Sequence, residues 1–483
     1  MFVRGILGYL PANLLQALVG IATVWAFTHL LTPQEFGIYA LSFAVLTLAH
    51  VGVYSWAEAA MERHWAEADR LNDHATLYAT LYRYVLLVSL VFVPLVISIC
   101  IFVPASSQMR IAISLGLIGV PIRCLLNMVK VALRARGAVR QAAKLDIYFT
   151  LSVFIVGLIA AAAGIGGSAP ILGLLVAPLI VLPFILPREW KQVQGGSFDP
   201  AALKAYISYG YPISISLGMG LILATTDRFM LEWFMNEAAV GAYHASYSIA
   251  SRTLDVMFIW LGTAGAPALV MALERGGRTA LKTAAADQAR TLMLFTLPAA
   301  VGLAMVARPL AEVVIGPQLR EASALVTPYI AISALLSGFL YYYFNQAFTL
   351  AKRTRLLLFT MLIPAAANIG FNIVLIPRFG LEGAAAATVL GYGVGLVASI
   401  VVGRRILPMP VPMRDLMLCL ICSAGMAGVV WMLPPIGGGL ELLMDAGIGA
   451  VVYVTLAYVL NAGNARGLIA RIRGEASGAE VAT

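Results

Sequence analysis

Basic residues set inside long apolar runs are the groups that could do chemistry in this chain. Arg123 and Arg252 fall near the middle of such runs; Arg83 and Lys130 lie toward one end and Arg228 toward the other. An arginine fork matches phosphate and carboxylate, and a low dielectric strengthens the attraction, so the chemistry is anion binding. A cation at the centre of a bilayer costs roughly 2.5 kcal/mol on insertion scales. For Arg123 and Arg252 a water-filled lumen explains that cost better than a buried pair, although Asp255, one turn from Arg252, offers a local ion pair as the specific alternative. For Arg83, Lys130 and Arg228, snorkelling of the long side chain to the interface explains the charge equally well. Asp227, Asp255 and Asp146 are the carboxylates that could hold a coupling proton or sodium ion, and Asp146 also reads as a helix start.

Uncharged polar residues recur at helical spacing beside these charges. Tyr9, Asn13, Gln16, Gly20 and Thr23 step by 4, 3, 4 and 3. His244, Ser248, Arg252 and Asp255 form a second stripe, and Ser333, Ser337, Tyr341, Asn345 and Thr349 a third. Such stripes mark the face turned toward protein or water, and Ser, Thr and Asn equally serve helix–helix hydrogen bonds. Asn13, Gln16 and Asn345 therefore join the five cations as candidate lining of a cavity. Other chemistries find no support. The five histidines lack metal-ligand spacing, and neither a Ser-His-Asp set nor a paired-carboxylate site can be assembled. Cys419 and Cys422 have clip spacing but no second pair, so buried packing is expected. Gly391 and Gly395 read as a close-packing pair rather than a nucleotide loop.

The elements that position these residues follow from composition. Of 483 residues 61% are hydrophobic and only 11% charged, where a soluble domain carries about 25% charged residues. Disorder, coiled coil and disulfide scaffolds are excluded with it. Runs of about 20 apolar residues, each long enough to span, occur near 6–31, 36–58, 78–103, 109–133, 145–164 and 168–186. They continue at 205–234, 239–265, 284–306, 322–350, 355–376, 381–403, 413–433 and 442–462. The runs lack period-two alternation, and lipid demands that backbone groups be satisfied internally, so the prediction is an all-α polytopic membrane protein of about fourteen helices. The first run is long enough to be retained as a helix rather than cleaved as a signal peptide.

Alternate loops are basic: Arg134 to Lys144, Arg188 to Lys204, Arg275 to Lys282, Lys352 to Arg355, Arg404 to Arg414, and the tail with Arg466, Arg471 and Arg473. The positive-inside rule then places both termini in the cytoplasm and accounts for the net charge of +9 without nucleic acid. The more acidic stretch 59–77 reads as a polar helical extension on that side.

Glu35-Phe-Gly37-Ile-Tyr39 and Ala239-Val-Gly241-Ala-Tyr243 open the second and eighth spans, 204 residues apart. Gly164-Ile-Gly-Gly167 and Gly380-Leu-Glu-Gly383 precede the sixth and twelfth at an offset of 216, which also sets Ala135-Arg136 over Ala351-Lys352. Spans 1–6 and 7–12 thus read as parallel repeats. The expected division is an N-lobe over 1–190, an inter-lobe loop 191–204, a C-lobe over 205–404, spans 13–14 within 405–465, and a cytoplasmic tail 466–483. Two such lobes suit alternating access to a site between them.

The opening Leu31-Thr-Pro33-Gln-Glu35-Phe-Gly37-Ile-Tyr39-Ala-Leu41 resembles that of Wzx-type polysaccharide and O-antigen flippases. These form a branch of the multidrug/oligosaccharidyl-lipid/polysaccharide exporter superfamily. Tyr209-Gly210-Tyr-Pro212, Thr226-Asp227-Arg228-Phe and Val240-Gly241-Ala-Tyr243 resemble its seventh and eighth helices, and Phe379-Gly380-Leu-Glu-Gly383 the start of its twelfth. The resemblance covers nearly the whole chain. It implies a two-lobed helical transporter with a cationic central cavity, in a bacterial inner membrane. It also implies flipping of a polyprenyl-diphosphate-linked oligosaccharide to the periplasmic leaflet, for lipopolysaccharide or exopolysaccharide biosynthesis, beside polymerase or export partners. No family motif pins the cavity residues named above. No enzyme activity and no cofactor beyond a coupling proton or sodium ion is expected. A cation-coupled drug or metabolite exporter of the same fold is the alternative, disfavoured because the deep charges are mostly basic. A glycan polymerase or ligase ranks below it, because no loop is long enough for a soluble domain.

Overall fold

The structure, a computed structural model, describes residues 2–102, 105–353 and 355–472, without the side chains of 2–11, 14, 263–264, 355, 358 and 471–472. The side chains of Tyr9 and Arg471, and all of Arg473, lie outside the described residues. The chain divides into two compact units, Met1–His244 and Ala245–Thr483. The first contains α1 (Phe2–Leu30), α2 (Pro33–Val53), α3 (Ser55–Leu71), α4 (His74–Phe102), α5 (Ser107–Ala135), α6 (Val139–Ala162), α7 (Ala169–Val193) and α8 (Pro200–Phe234). Helix α9 (Glu237–Met305) begins in it. The second holds the rest of α9, then α10 (Ala307–Val314), α11 (Arg320–Phe339), α12 (Gln346–Leu350), α13 (Arg355–Arg404), α14 (Met413–Trp431), α15 (Gly438–Leu460) and α16 (Ala465–Ile472). No strand occurs among the described residues.

Among the described residues eleven helices are long and apolar enough to cross a membrane. Two of them must cross twice. Helix α9 has 69 residues, about 100 Å of rise against a hydrocarbon core of about 30 Å. It is broken at Gly277 (φ 63°, ψ −155°), and the 50-residue α13 is broken at Gly380 (φ 55°, ψ −126°). Both glycines lie between spans expected from sequence. With α1, whose apolar part is Leu15–Leu30, the crossings reach the expected fourteen. The polar stretch after the second span is helical, as α3.

Each unit has its own core, and its outer faces are apolar as well. Tyr54, Trp56, Tyr78, Leu81 and Met128 are buried together in the first. In the second, Phe258, Leu292, Tyr343 and Tyr453 surround Cys419 and Cys422, which pack as free thiols. Leu86, Leu87, Leu90 and Phe102 of α4 are exposed, as a lipid-facing helix requires.

The internal repeat is visible in the backbone. A side chain at Gly37 would strike the carbonyl oxygen of Glu237, and one at Gly241 would strike that of Pro33. Pro33 and Gly37, advanced by 204, become Glu237 and Gly241, so the two helix openings, both in the first unit, make reciprocal contacts. Residue i of one touching j of the other, and the converse, is the signature of a two-fold relation. Gly164 and Gly380, 216 apart, both have positive φ. The third correspondence shifts by one residue. Gly137 (φ 76°) and Lys352 (φ 57°) occupy the same left-handed position after a helix. The bonds Gly137 N to Arg134 O and Ala138 N to Leu133 O recur as Lys352 N to Thr349 O and Arg353 N to Phe348 O. The offset there is 215, because turn geometry rather than residue type sets the register.

Candidate functional site

Helix α5 presents Arg123, Asn127 and Lys130 at steps of four and three, which puts them on one face. Opposite them the chain breaks at Tyr54, between α2 and α3. In an unbroken helix His50 and Glu58 would be about 12 Å apart along the axis. The break lets His50 Nε2 donate to Glu58 Oε1 at 3.0 Å. Asn127 Nδ2 donates to the same oxygen at 3.1 Å, tying α5 to α3. Among the described residues Glu58 thus has two neutral-capable donors and no basic partner within ion-pair distance other than the imidazole.

Lys130 lies 2.9 Å from Asp146 Oδ1 of α6, with both side chains about nine-tenths buried. Its ammonium also stands 5.2 Å from the Phe149 ring. Lys130 is therefore held in a buried pair, not snorkelled, and Asp146 is its counterion. Arg123 has no such partner. Among the described residues no carboxylate lies within 4 Å of it, and its Nη1 is buried without a hydrogen bond. Glu58 and the Tyr39 hydroxyl act on it only through space. Arg123 is therefore a cation whose charge is compensated at a distance, an arrangement that favours a bound anion.

The remaining candidates are spread out. Tyr243 donates to Asp227 Oδ2 at 2.8 Å, and Arg228 Nη1 donates to Ala224 O at 2.9 Å, so both residues of that pair are engaged and buried. The ring of His244 packs beside those of Phe36 and Tyr39, at 5.6 and 5.8 Å. Arg83 is exposed on the face of α4 that carries Leu87 and Leu90, which fits snorkelling rather than the Arg123 cluster. Asn13 and Gln16 are exposed on α1.

In the second unit Arg252 is exposed and makes no ion pair with Asp255. The Asp255 carboxylate instead accepts from Ser251 Oγ at 2.8 Å. The local pair offered by the spacing is not formed. Asn345 is buried and accepts from Ser399 Oγ at 2.8 Å, a bond between helices. It follows a π-helical turn, Leu340–Phe344.

Glu58, His50 and Asn127 were not visible as site residues in the sequence. Asn127 could have been found from its spacing to Arg123 and Lys130; the other two meet only because of the break at Tyr54.

A sequence profile described as polysaccharide biosynthesis protein matches residues 26–324, more than half of the chain. The chain belongs to the polysaccharide biosynthesis protein family. An uncharacterized membrane protein of Methanocaldococcus jannaschii is 27% identical over 220 residues, 44% of this chain and 41% of that one, so the chain spans less than half the length of that relative. A probable low-salt glycan biosynthesis flippase, Agl15, of Haloferax volcanii is 21% identical over 322 residues, 66% of this chain and 67% of that one. Among solved structures, the lipid II flippase MurJ in an inward closed conformation superposes with a TM-score of 0.76 at 14% identity, covering 95% of this chain and 99% of that one. An inward-facing multidrug resistance MATE family transporter gives 0.65 at 15% identity, covering 81% and 94%. At such identities these likenesses establish the all-α fold that this family member shares with them.

Proposed function

We propose that this protein is a transporter, not an enzyme, that moves a polyprenyl-diphosphate-linked oligosaccharide from the cytoplasmic to the periplasmic leaflet by alternating access. The membrane is the inner membrane of a bacterium, and both termini are cytoplasmic. Arg123 carries the reading: a half-buried arginine whose Nη1 is buried without a hydrogen bond, with no carboxylate within 4 Å among the described residues, in a member of a polysaccharide biosynthesis family. A diphosphate supplies the missing charge, and Arg252 offers a second cation in the other unit. Asn127 and Glu58 hold the helix face from which Arg123 projects. A coupling proton or sodium ion would bind at Asp255, whose carboxylate accepts from the Ser251 hydroxyl and has no paired cation among the described residues. Substrate shifts the cycle only by its differential affinity for the two states.

The test is a strain lacking the protein, with extraction of the lipid-linked saccharide from the cytoplasmic leaflet beside assay of surface polysaccharide. Accumulated loaded lipid with lost surface polysaccharide is the expected result. Unchanged lipid and glycan with altered drug sensitivity would overturn it in favour of an exporter. Single repeat units reaching the periplasm without long chains would instead indicate a polymerase.

A further inference from the structure

A groove of about 960 Å³ opens between α6 and α7 at the end of the first unit where the basic loops lie. Its composition changes along its length. Toward the middle of the helices the walls are apolar and outward-facing: Tyr148 is 62% exposed, Ile180 45% and Phe184 79%. At the mouth stand Arg136, Lys144, Arg188 and Lys191, with Glu189 the one acid. Glu189 is turned inward, 4% exposed. It is occupied by Arg136 Nη2 at 3.0 Å and by the Tyr82 hydroxyl at 3.5 Å. Lys144, Arg188 and Lys191 are therefore left exposed, with no carboxylate within 4 Å among the described residues. Trp190, 63% exposed, sits beside them, as tryptophan does at a membrane–water interface. The groove shares no residue with the Arg123 cluster. On α6 the two faces part, Asp146 turning in to Lys130 while Lys144 and Tyr148 line the groove.

Cations above an apolar wall, at the depth where a helix leaves the bilayer, complement one molecule: a lipid with a charged head and a hydrocarbon tail. Basic pockets between membrane helices bind anionic headgroups for this reason. We propose that the groove is a lateral binding site for an anionic phospholipid of the leaflet at the basic end, its phosphodiester held by Lys144, Arg188 and Lys191 and its acyl chain laid along Tyr148, Ile180 and Phe184. The site is separate from the transport reading and stands without it.

The test uses the purified full-length protein and phospholipid retained through detergent washing, read by native mass spectrometry. Phosphatidylglycerol is the probe and phosphatidylcholine the neutral control. Wild type should retain phosphatidylglycerol in preference to phosphatidylcholine. The variant Lys144→Gln/Arg188→Gln/Lys191→Gln should lose phosphatidylglycerol retention by about a hundred-fold, as three interfacial cations would require. Arg404→Gln/Arg405→Gln, which removes exposed cations elsewhere, should retain it. Phe184→Ala should weaken phosphatidylglycerol retention by removing apolar wall against the acyl chain. A monodisperse gel-filtration peak checks folding of each variant, and Phe184→Ala keeps the question open to test if the triple variant misfolds. Equal retention by wild type and both groove variants, or no preference over phosphatidylcholine, overturns the site. Displacement of bound phosphatidylglycerol by equimolar undecaprenyl diphosphate would overturn the choice of occupant and make the groove a substrate portal.

Discussion

At the residue scale Arg123 and Lys130, two of the cations of α5, make opposite predictions. Arg123 has no counterion within reach, so its removal should cost function rather than folding. Arg123→Ala, and Arg252→Ala in the other unit, should lower transport about ten-fold or more, the range expected for a lost charged hydrogen bond, at normal membrane levels. Arg123→Lys should recover only part, because it keeps the charge and loses the fork. Normal transport in both alanine variants would remove the anion-binding assignment. Lys130 is paired, and breaking a buried pair from one side strands a charge at a cost of about 3–5 kcal/mol. Asp146→Asn should therefore lower thermal stability in detergent, and Lys130→Met/Asp146→Leu should recover most of it, a coupling that a double-mutant cycle measures. Retained transport in that double variant would make Lys130 structural; loss of transport in a stable double variant would return it to the cavity. Arg123 could be read from sequence because a charge inside an apolar run has no cheap explanation. The partners of Lys130 and Glu58 could not, since they come from other helices, and neither the α5–α6 packing nor the break at Tyr54 leaves a periodic trace.

At the element scale the apolar period gave the spans well, because lipid forces each crossing to be a helix of set length. It was blind to how consecutive crossings join. Gly277 and Gly380 hold conformations that only glycine adopts readily, so a direct helix-to-helix bend replaces a loop there. Lys352 is the contrasting case. It takes the left-handed position that Gly137 takes in the first repeat, where a side chain costs about 1–2 kcal/mol and glycine loses about 0.5–1 kcal/mol in chain entropy. Lys352→Gly should thus stabilise the protein by roughly 0.5–1 kcal/mol, seen as a higher unfolding temperature in detergent; a lower one would mean that the ammonium makes a contact worth more than the strain. The opposite sign is expected at the crossing of α2 and α9. Gly37→Val should destabilise by about 1–3 kcal/mol through backbone collision, and Gly241→Val likewise. Similar losses at both positions would support the reciprocal contact; a neutral effect at either would break the symmetry between the two helix openings.

At the scale of the whole molecule the basic loops make the strongest claim, since each crossing reverses the side on which the next loop lies. The four native cysteines are buried in apolar surroundings, so they give a low background for labelling with a membrane-impermeant maleimide. Ser197, Lys282, Ser107 and Glu321 are exposed and lie between successive crossings. Ser197→Cys and Lys282→Cys fall on basic turns and should label only after permeabilisation; Ser107→Cys and Glu321→Cys should label in intact cells. The pair Lys282 and Glu321 carries the most weight. Only the segment of α9 beyond Gly277 and the short α10 separate them, so opposite labelling requires that α9 cross the membrane twice. Labelling of both from the same side would leave α9 with a single crossing, make the total odd, and place the two termini on opposite sides of the membrane. The tail with Arg466 and the basic turns at 352–355 and 404–414 would then face away from the basic turns before them, and the charge asymmetry would lose its explanation.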